Sequence, residues 1–256
     1  MRSTIWKGTK MKRYFIVADC HSFYSIMKRT LDAAGFDKNN PEHIFVSLGD
    51  LFDRGDESAE MLRFVSSLPE ERKILIMGNH ELLMQDMLNR GGLHMYDISN
   101  GTAKTARDIT GETDSYVAIQ MMRLRKDWAE YYHSCKFYVE IGNCIFTHGW
   151  IPDRVDWRSA DTQEWEDATW FNGMKQWADG LWEDGKTIFC GHWHTSWGHS
   201  RIRGFGVEFP STPDDKVCFC PFIDEGIIAM DACTAFSEKV NCLAFDEDEL
   251  TNFPLV

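Results

Sequence analysis

Apolar positions along the chain fall into two rhythms. Short unbroken runs fit strands buried on both faces, while recurrences every three or four residues fit amphipathic helices. Arg13 to Asp19 reads as a buried strand. Phe23, Ile26, Met27, Thr30, Leu31 and Ala34 then recur at helical spacing, with Ser22 as the expected N-cap and Gly35 as the stop. Ile44 to Leu48 gives a second strand, and Met61, Leu62, Val65 and Leu68 give a helix ended by Pro69. Lys73 to Met77 is a third strand. Strand–helix–strand–helix–strand predicts a layered α/β fold. Beyond it, Glu81 to Leu88 reads as helix, Asn89 to Asp114 is polar and glycine-dotted, and Ser115 to Tyr132 reads as helix again. A hairpin is expected from Lys136 to Ile141 and Cys144 to Thr147 around Gly142-Asn143, with late strands at Thr187 to Cys190, Gly226 to Asp231 and Val240 to Phe245.

Polar residues gather where these strands end. Asp19-Cys20-His21 follows the first, Gly49-Asp50 to Asp53-Arg54-Gly55 the second, and Gly78-Asn79-His80-Glu81 the third. His148-Gly149 follows the hairpin, and Gly191-His192-Trp193-His194 follows the next strand. In α/β sheets, ligands bind at the carboxyl ends of strands. Singly, each cluster reads as a turn with a surface histidine. One at each successive strand end does not.

Seven candidate ligands result: Asp19, His21, Asp50, Asn79, His148, His192 and His194. All offer nitrogen or oxygen, a donor set suited to Mn, Fe, Zn or Ni rather than Ca or Mg. Seven exceed the three protein ligands of a catalytic zinc. They suit two ions sharing one carboxylate, which can hold a hydroxide between them and clamp a phosphoryl group for in-line displacement.

Composition narrows the setting. The 256 residues carry 27 Lys+Arg against 40 Asp+Glu, a net of −13. Residues 1–80 contribute +1, residues 81–147 −2 and residues 148–256 −12. Such a chain is poorly suited to coating long nucleic acid or an anionic membrane. No apolar run approaches the ~20 residues of a membrane helix. Met1 to Arg13 is basic without the apolar stretch of a secretory signal, and Met11 offers an alternative start. The eight cysteines form no Cys-x-x-Cys pair and are expected to be reduced thiols in a cytoplasmic protein. Trp150, Trp157, Trp165, Trp170, Trp177 and Trp182 crowd the acidic part. They are expected to be core, except that Trp150, like Trp193, adjoins candidate ligands and is expected near the site. With no repeat, low-complexity tract or proline-rich hinge, one domain over residues 1–256 is expected.

Taken together, these motifs resemble the calcineurin-like metallophosphoesterases, and Gly-Asp-x-x-Asp-Arg-Gly resembles the phosphoprotein-phosphatase branch. That branch includes serine/threonine phosphatases, phage-type phosphatases and bacterial diadenosine tetraphosphate hydrolases. The resemblance implies two mixed β-sheets packed together with helices outside. It also implies a helical, polar insertion at about 82–135 and a loop insertion at about 199–225. Asp19 and His21 would hold one metal, Asp50 would bridge, and Asn79, His148 and His192 would hold the second. His194 resembles an extra first-metal histidine. His80 would be the general acid, Asp53 its orienting partner, and Arg54 the phosphate grip. Asn79 and His80 would also face the substrate.

Two further segments bear on that resemblance. Asn100-Gly101-Thr102 to Thr105 loosely resembles an Asn-Gly-Gly-x-x-Thr segment of bacterial and phage members. Asn172, in Trp170-Phe171-Asn172, stands where a second phosphate-gripping arginine falls. The implied activity is hydrolysis of phosphomonoesters, phosphoserine and phosphothreonine included, with dinucleotide polyphosphates or other nucleotides as the alternative. A small phosphoester, or a phosphopeptide with basic flanks, fits the acidity better than long nucleic acid.

Overall fold

The computed structural model describes residues 11–253, so the basic segment before Met11 lies outside the described residues. Among the described residues nine strands form two sheets: β1 Arg13–Val17, β2 His43–Ser47, β3 Lys73–Leu75, β4 Tyr138–Ile141, β5 Cys144–Thr147, β6 Thr187–Cys190, β7 Phe222–Asp224, β8 Ile227–Ala229 and β9 Cys242–Asp246. One sheet has the order β3-β2-β1-β9, the other β4-β5-β6-β8-β7. β1, β2 and β3 run parallel, and β9 closes the first sheet antiparallel to β1. In the second sheet β5, β6 and β8 are parallel, flanked by antiparallel β4 and β7.

Side chains alternate across each strand, so both faces are filled. Tyr14 and Ile16 of β1 meet Phe146 and Phe189 of the second sheet in a core between the sheets. Phe15 and Val17 face the other way, onto helices. Those helices are α1 Tyr24–Ala34, α2 Ser58–Ser67, α3 Asn79–Arg90, α4 Met95–Ser99, α5 Thr102–Thr110, α6 Ser115–Met122 and α7 Lys126–Ser134. A third core, rich in tryptophan, covers the outer face of the second sheet with α8 Thr162–Ala168 and α9 Gly173–Ala178. α10 Thr195–Arg201, α11 Thr234–Ser237 and α12 Glu247–Thr251 complete the α-helices among the described residues. No helix among the described residues is long and apolar enough to cross a membrane.

Three local expectations, at Ser22, at the start of α3 and over 115–132, are corrected. Ser22 does not cap α1: its backbone is left-handed, with φ +58, and its hydroxyl bonds Ser58 Oγ at 2.8 Å, tying the first loop to α2. α3 begins at Asn79, two residues before the expected Glu81, because the Glu81 carboxylate turns back to accept Gly78 N at 3.0 Å. The polar stretch 89–114 contains α4 and α5. The expected helix over 115–132 breaks into α6 and α7, separated at 123–125. Gly35 does end α1, in the left-handed conformation at φ +91.

Candidate active site

Loops after β1, β2, β3, β5 and β6 converge at one end of the sheets. Seven of the nine described non-glycine residues with positive φ lie in these loops: Asp19, His21, Ser22, Asp50, Asp53, Arg54 and His192. Each left-handed residue costs about 1–2 kcal/mol. Such strain concentrates where side chains are aimed for function.

The histidines are oriented by backbone carbonyls. His21 Nδ1 donates to Phe52 O at 3.0 Å, and His148 Nδ1 donates to Leu48 O at 2.7 Å. Each imidazole therefore presents Nε2 to the interior. His148 Nε2 lies 2.9 Å from Asn79 Oδ1 and 3.4 Å from Asp50 Oδ1, and His21 Nε2 lies 3.8 Å from Asp50 Oδ2. Two three-residue sets have all their ligand atoms within 4.8 Å: His21, Asp50 and His80, and Asp50, His148 and His192. Asp50 belongs to both. An inward imidazole lone pair facing an amide oxygen and a carboxylate oxygen is a set of acceptors lacking a donor. A divalent cation satisfies such a set, so the residues fit a metal pair. Without a cation a proton must serve: burial opposes it, but Asp50 and its hydrogen bond push the His148 pKa up to about 10. Burial and then the His148 charge push His192 down to about 3.

Asp19 is buried, and both its carboxylate oxygens accept His192 N at 3.0 Å, while its backbone carbonyl accepts Thr234 Oγ1 at 2.8 Å. Its ligand atoms fall outside the two sets. His194 is set apart further. Its Nδ1 bonds Ser196 Oγ at 2.9 Å, its Nε2 lies 3.4 Å from Glu208 Oε1, and its ring packs on Phe209.

Beside Asp50 stands a second assembly. His80 Nδ1 bonds Asp53 Oδ2 at 2.8 Å, and Arg54 Nη2 lies 3.3 Å from His80 Nε2. Burial disfavours charge on His80, yet Asp50 and the Asp53 bond raise its pKa above the ordinary imidazole value. Asp53 is itself pinned, accepting Thr102 Oγ1 at 2.7 Å and Thr105 Oγ1 at 2.8 Å. The N-terminal amides of α3 add positive potential, and His80 N donates to Asp50 Oδ1 at 3.0 Å.

The family model for calcineurin-like phosphoesterases matches residues 12–220. The chain belongs to this family. Curated relatives include symmetrical bis(5'-nucleosyl)-tetraphosphatases from Psychromonas ingrahamii (41% identical over 68 residues, 27% of this chain and 24% of the relative). Another, from Marinomonas sp., is 32% identical over 122 residues, 44% of this chain and 36% of the relative. The chain thus spans about a quarter to a third of the length of these relatives. A solved candidate diadenosine tetraphosphatase superposes with TM-score 0.56 at 16% identity over 91% of this chain and 89% of its own. The cold-active protein-tyrosine phosphatase of a Shewanella species superposes with TM-score 0.53 at 14% identity, over 91% and 75%. At these identities the superpositions show the fold, two mixed sheets with helices outside. The family is one of phosphoesterase enzymes, and its fold implies a dinuclear metal site.

The site region also contains buried residues to which the motifs assign no role. Glu81, fully buried, accepts Asp50 N at 2.9 Å, Gly78 N at 3.0 Å, Leu51 N at 3.1 Å and Tyr131 OH at 2.8 Å. It ties the second and third loops to α7. Its place in Gly78-Asn79-His80-Glu81 was the available signal. Asp231 lies at the end of the β8 run, with its pKa pushed up to about 7 by burial. No spacing pattern pointed to it. Thr102 and Thr105 were visible only through the loose Asn-Gly resemblance.

Two aromatic expectations are corrected. Trp150 does not face the site. It is 1% exposed in the third core, and its indole N–H donates to Leu181 O at 2.7 Å. Trp170, expected in the core, is instead 50% exposed with its ring 5.8 Å from that of His192. Trp193 is half-buried and stacks on His194. Asn172 accepts Lys175 N at 3.1 Å and caps α9.

Proposed function

We propose that this chain is a phosphomonoesterase acting on small phosphoesters, phosphoserine and phosphothreonine included, with two ions among Mn, Fe, Zn and Ni held by Asp19, His21, Asp50, Asn79, His148 and His192. When bound, two cations supply a water of lowered pKa and neutralise the phosphoryl oxygens. The chain supplies the rest. Arg54 orients the phosphate with a planar, permanently charged group. Asp53 holds the His80 ring with Nδ1 protonated and, with Asp50, favours the charged imidazolium, in which Nε2 also carries a proton that it can give to the leaving oxygen once Arg54 turns from it to the phosphate. The observation that carries this reading is the buried His80–Asp53 pair beside Asp50. A purely structural metal site would leave that pair without work.

A second reading, hydrolysis of a dinucleotide polyphosphate, is favoured by the names of the curated relatives. A panel of phosphoesters run with Mn, Fe, Ni, Zn and Mg separates the two. Turnover of p-nitrophenyl phosphate and phosphopeptides is expected. Cleavage of diadenosine tetraphosphate with those substrates untouched overturns the first reading in favour of the second.

A further inference from the structure

A groove of about 380 Å³ runs outward from Asn79, between α3, α7 and the C-terminal end of α8. Asn79, the proposed ligand, forms its inner end and Trp170 one wall. Glu166 and Asp167 line it, and Tyr132 faces Glu166, whose charge adds to burial in raising the phenol pKa. Asp86 also lines it but is already paired with Arg90 and Tyr96 OH. Glu166 and Asp167 have no basic partner among the described residues. No lysine or arginine is among the groove's lining residues. Asp167 Oδ1 accepts Gln163 Nε2 at 3.0 Å, a neutral partner that leaves its charge in place. An exposed indole face beside two carboxylates without a basic partner attracts a guanidinium or ammonium by cation–π and ionic attraction. The same wall repels the negative chain of a polyphosphate.

We infer that this groove is a leaving-group subsite for a positively charged side chain, so that the enzyme selects phosphopeptides carrying Arg or Lys close to the phosphorylated residue. This rests on the phosphomonoesterase reading and specifies its substrate. Charge complementarity is placed where it acts on the group that departs. The phosphate is gripped by Arg54, while the peptide portion emerges beside His192 and Trp170.

The test uses the full, metal-loaded chain and paired phosphoserine peptides differing only in Arg or Glu at the flanking positions. The wild type should favour the Arg peptide in kcat/KM by about tenfold, the product of weak exposed ion pairs and one cation–π contact. Added salt should shrink that ratio. In the double variant Glu166→Gln, Asp167→Asn the ratio should fall to within about threefold of unity. In Asp167→Lys it should fall further, towards the Glu peptide. The ratio is the readout, so a general loss of folded protein cancels. Equal turnover of both peptides by the wild type overturns the inference, as does an unchanged ratio in the double variant. A nucleotide KM raised by Trp170→Ala without any peptide preference also overturns it, assigning the groove to a base. Turnover of p-nitrophenyl phosphate in the same preparation separates the failures. If it persists without charge preference, the groove assignment alone falls; if no phosphomonoester is cleaved, the parent reading falls and takes this one with it.

Discussion

Replacing Asp53 by Asn changes the site's chemistry while nearly preserving its shape. The carboxylate is fully buried, with one oxygen receiving His80 Nδ1 and Thr102 Oγ1 and the other Thr105 Oγ1. An amide can keep its oxygen toward His80 and turn its nitrogen toward Thr105, whose hydroxyl can accept as well as donate. What disappears is the negative charge. A hydrogen bond to a charged partner contributes about 1.5–3 kcal/mol, and each ~1.4 kcal/mol is tenfold in rate, so kcat should fall about 10- to 100-fold. The pH profile gives the sharper reading. Burial pulls the His80 pKa down, while Asp50 and Asp53 raise it past the ordinary value. Removing the Asp53 charge lowers that pKa. A general acid works while protonated, so the alkaline limb of kcat should move to lower pH. The loss should be larger for phenyl phosphate than for p-nitrophenyl phosphate, whose leaving group needs little protonation. Steady-state kcat from pH 5 to 10 on both substrates measures this. An unmoved alkaline limb with equal losses on both substrates would refute the general-acid assignment.

Asp50→Asn should lose bound metal and activity together, because Asp50 belongs to both ligand sets; two ions per chain by elemental analysis with retained turnover would sink the bridging role. Glu81→Gln places an amide nitrogen among three backbone N–H donors and a phenol, and one unsatisfied buried group costs about 1–3 kcal/mol, read as a fall in melting temperature. Tyr131→Phe removes only one donor and should cost about 1 kcal/mol, with a weaker calorimetric metal isotherm if α7 helps place Asp50. Gly101→Ala should slow turnover with metal content intact. At φ +91 a methyl there would lie 2.5 Å from Arg54 N and shift the arginine loop; kcat and KM equal to wild type would remove that link.

The fold was legible wherever burial leaves a mark on residue type. β1, β2, β5 and β6 are buried on both faces, so each is an apolar run that no turn or surface helix imitates. β7 escaped notice because it is three residues long and only Phe222 is buried. α5 escaped for the opposite reason: its buried face includes Thr102 and Thr105, polar because Asp53 needs donors there, so the apolar rhythm fails where the helix serves the site. The start of α3 was misplaced for a related reason. Asn79 and His80 look like loop residues, yet they occupy a helical first turn whose amides face Asp50.

Residue type and position along a strand say what a side chain can bind, and backbone conformation decides where it points. His148 and Trp150 are two positions apart, yet one reaches Asp50 and the other is sealed in the tryptophan core. His192 and His194 diverge as well: the first turns on a positive φ toward the centre, while the second begins α10 and meets Glu208. The same rule governs the acidic charge. The proposed carboxylate ligands come from the near-neutral first third, so bound cations and Arg54 can make the reacting centre positive while residues 148–256 carry −12 around it. Where that acidity meets the centre, at Glu166 and Asp167 beside Trp170, it cannot help hold phosphate. On the proposed reading, an acidic wall there would discriminate among leaving groups by their charge, a property that net charge suggests and only the placement of α8 against Asn79 makes specific.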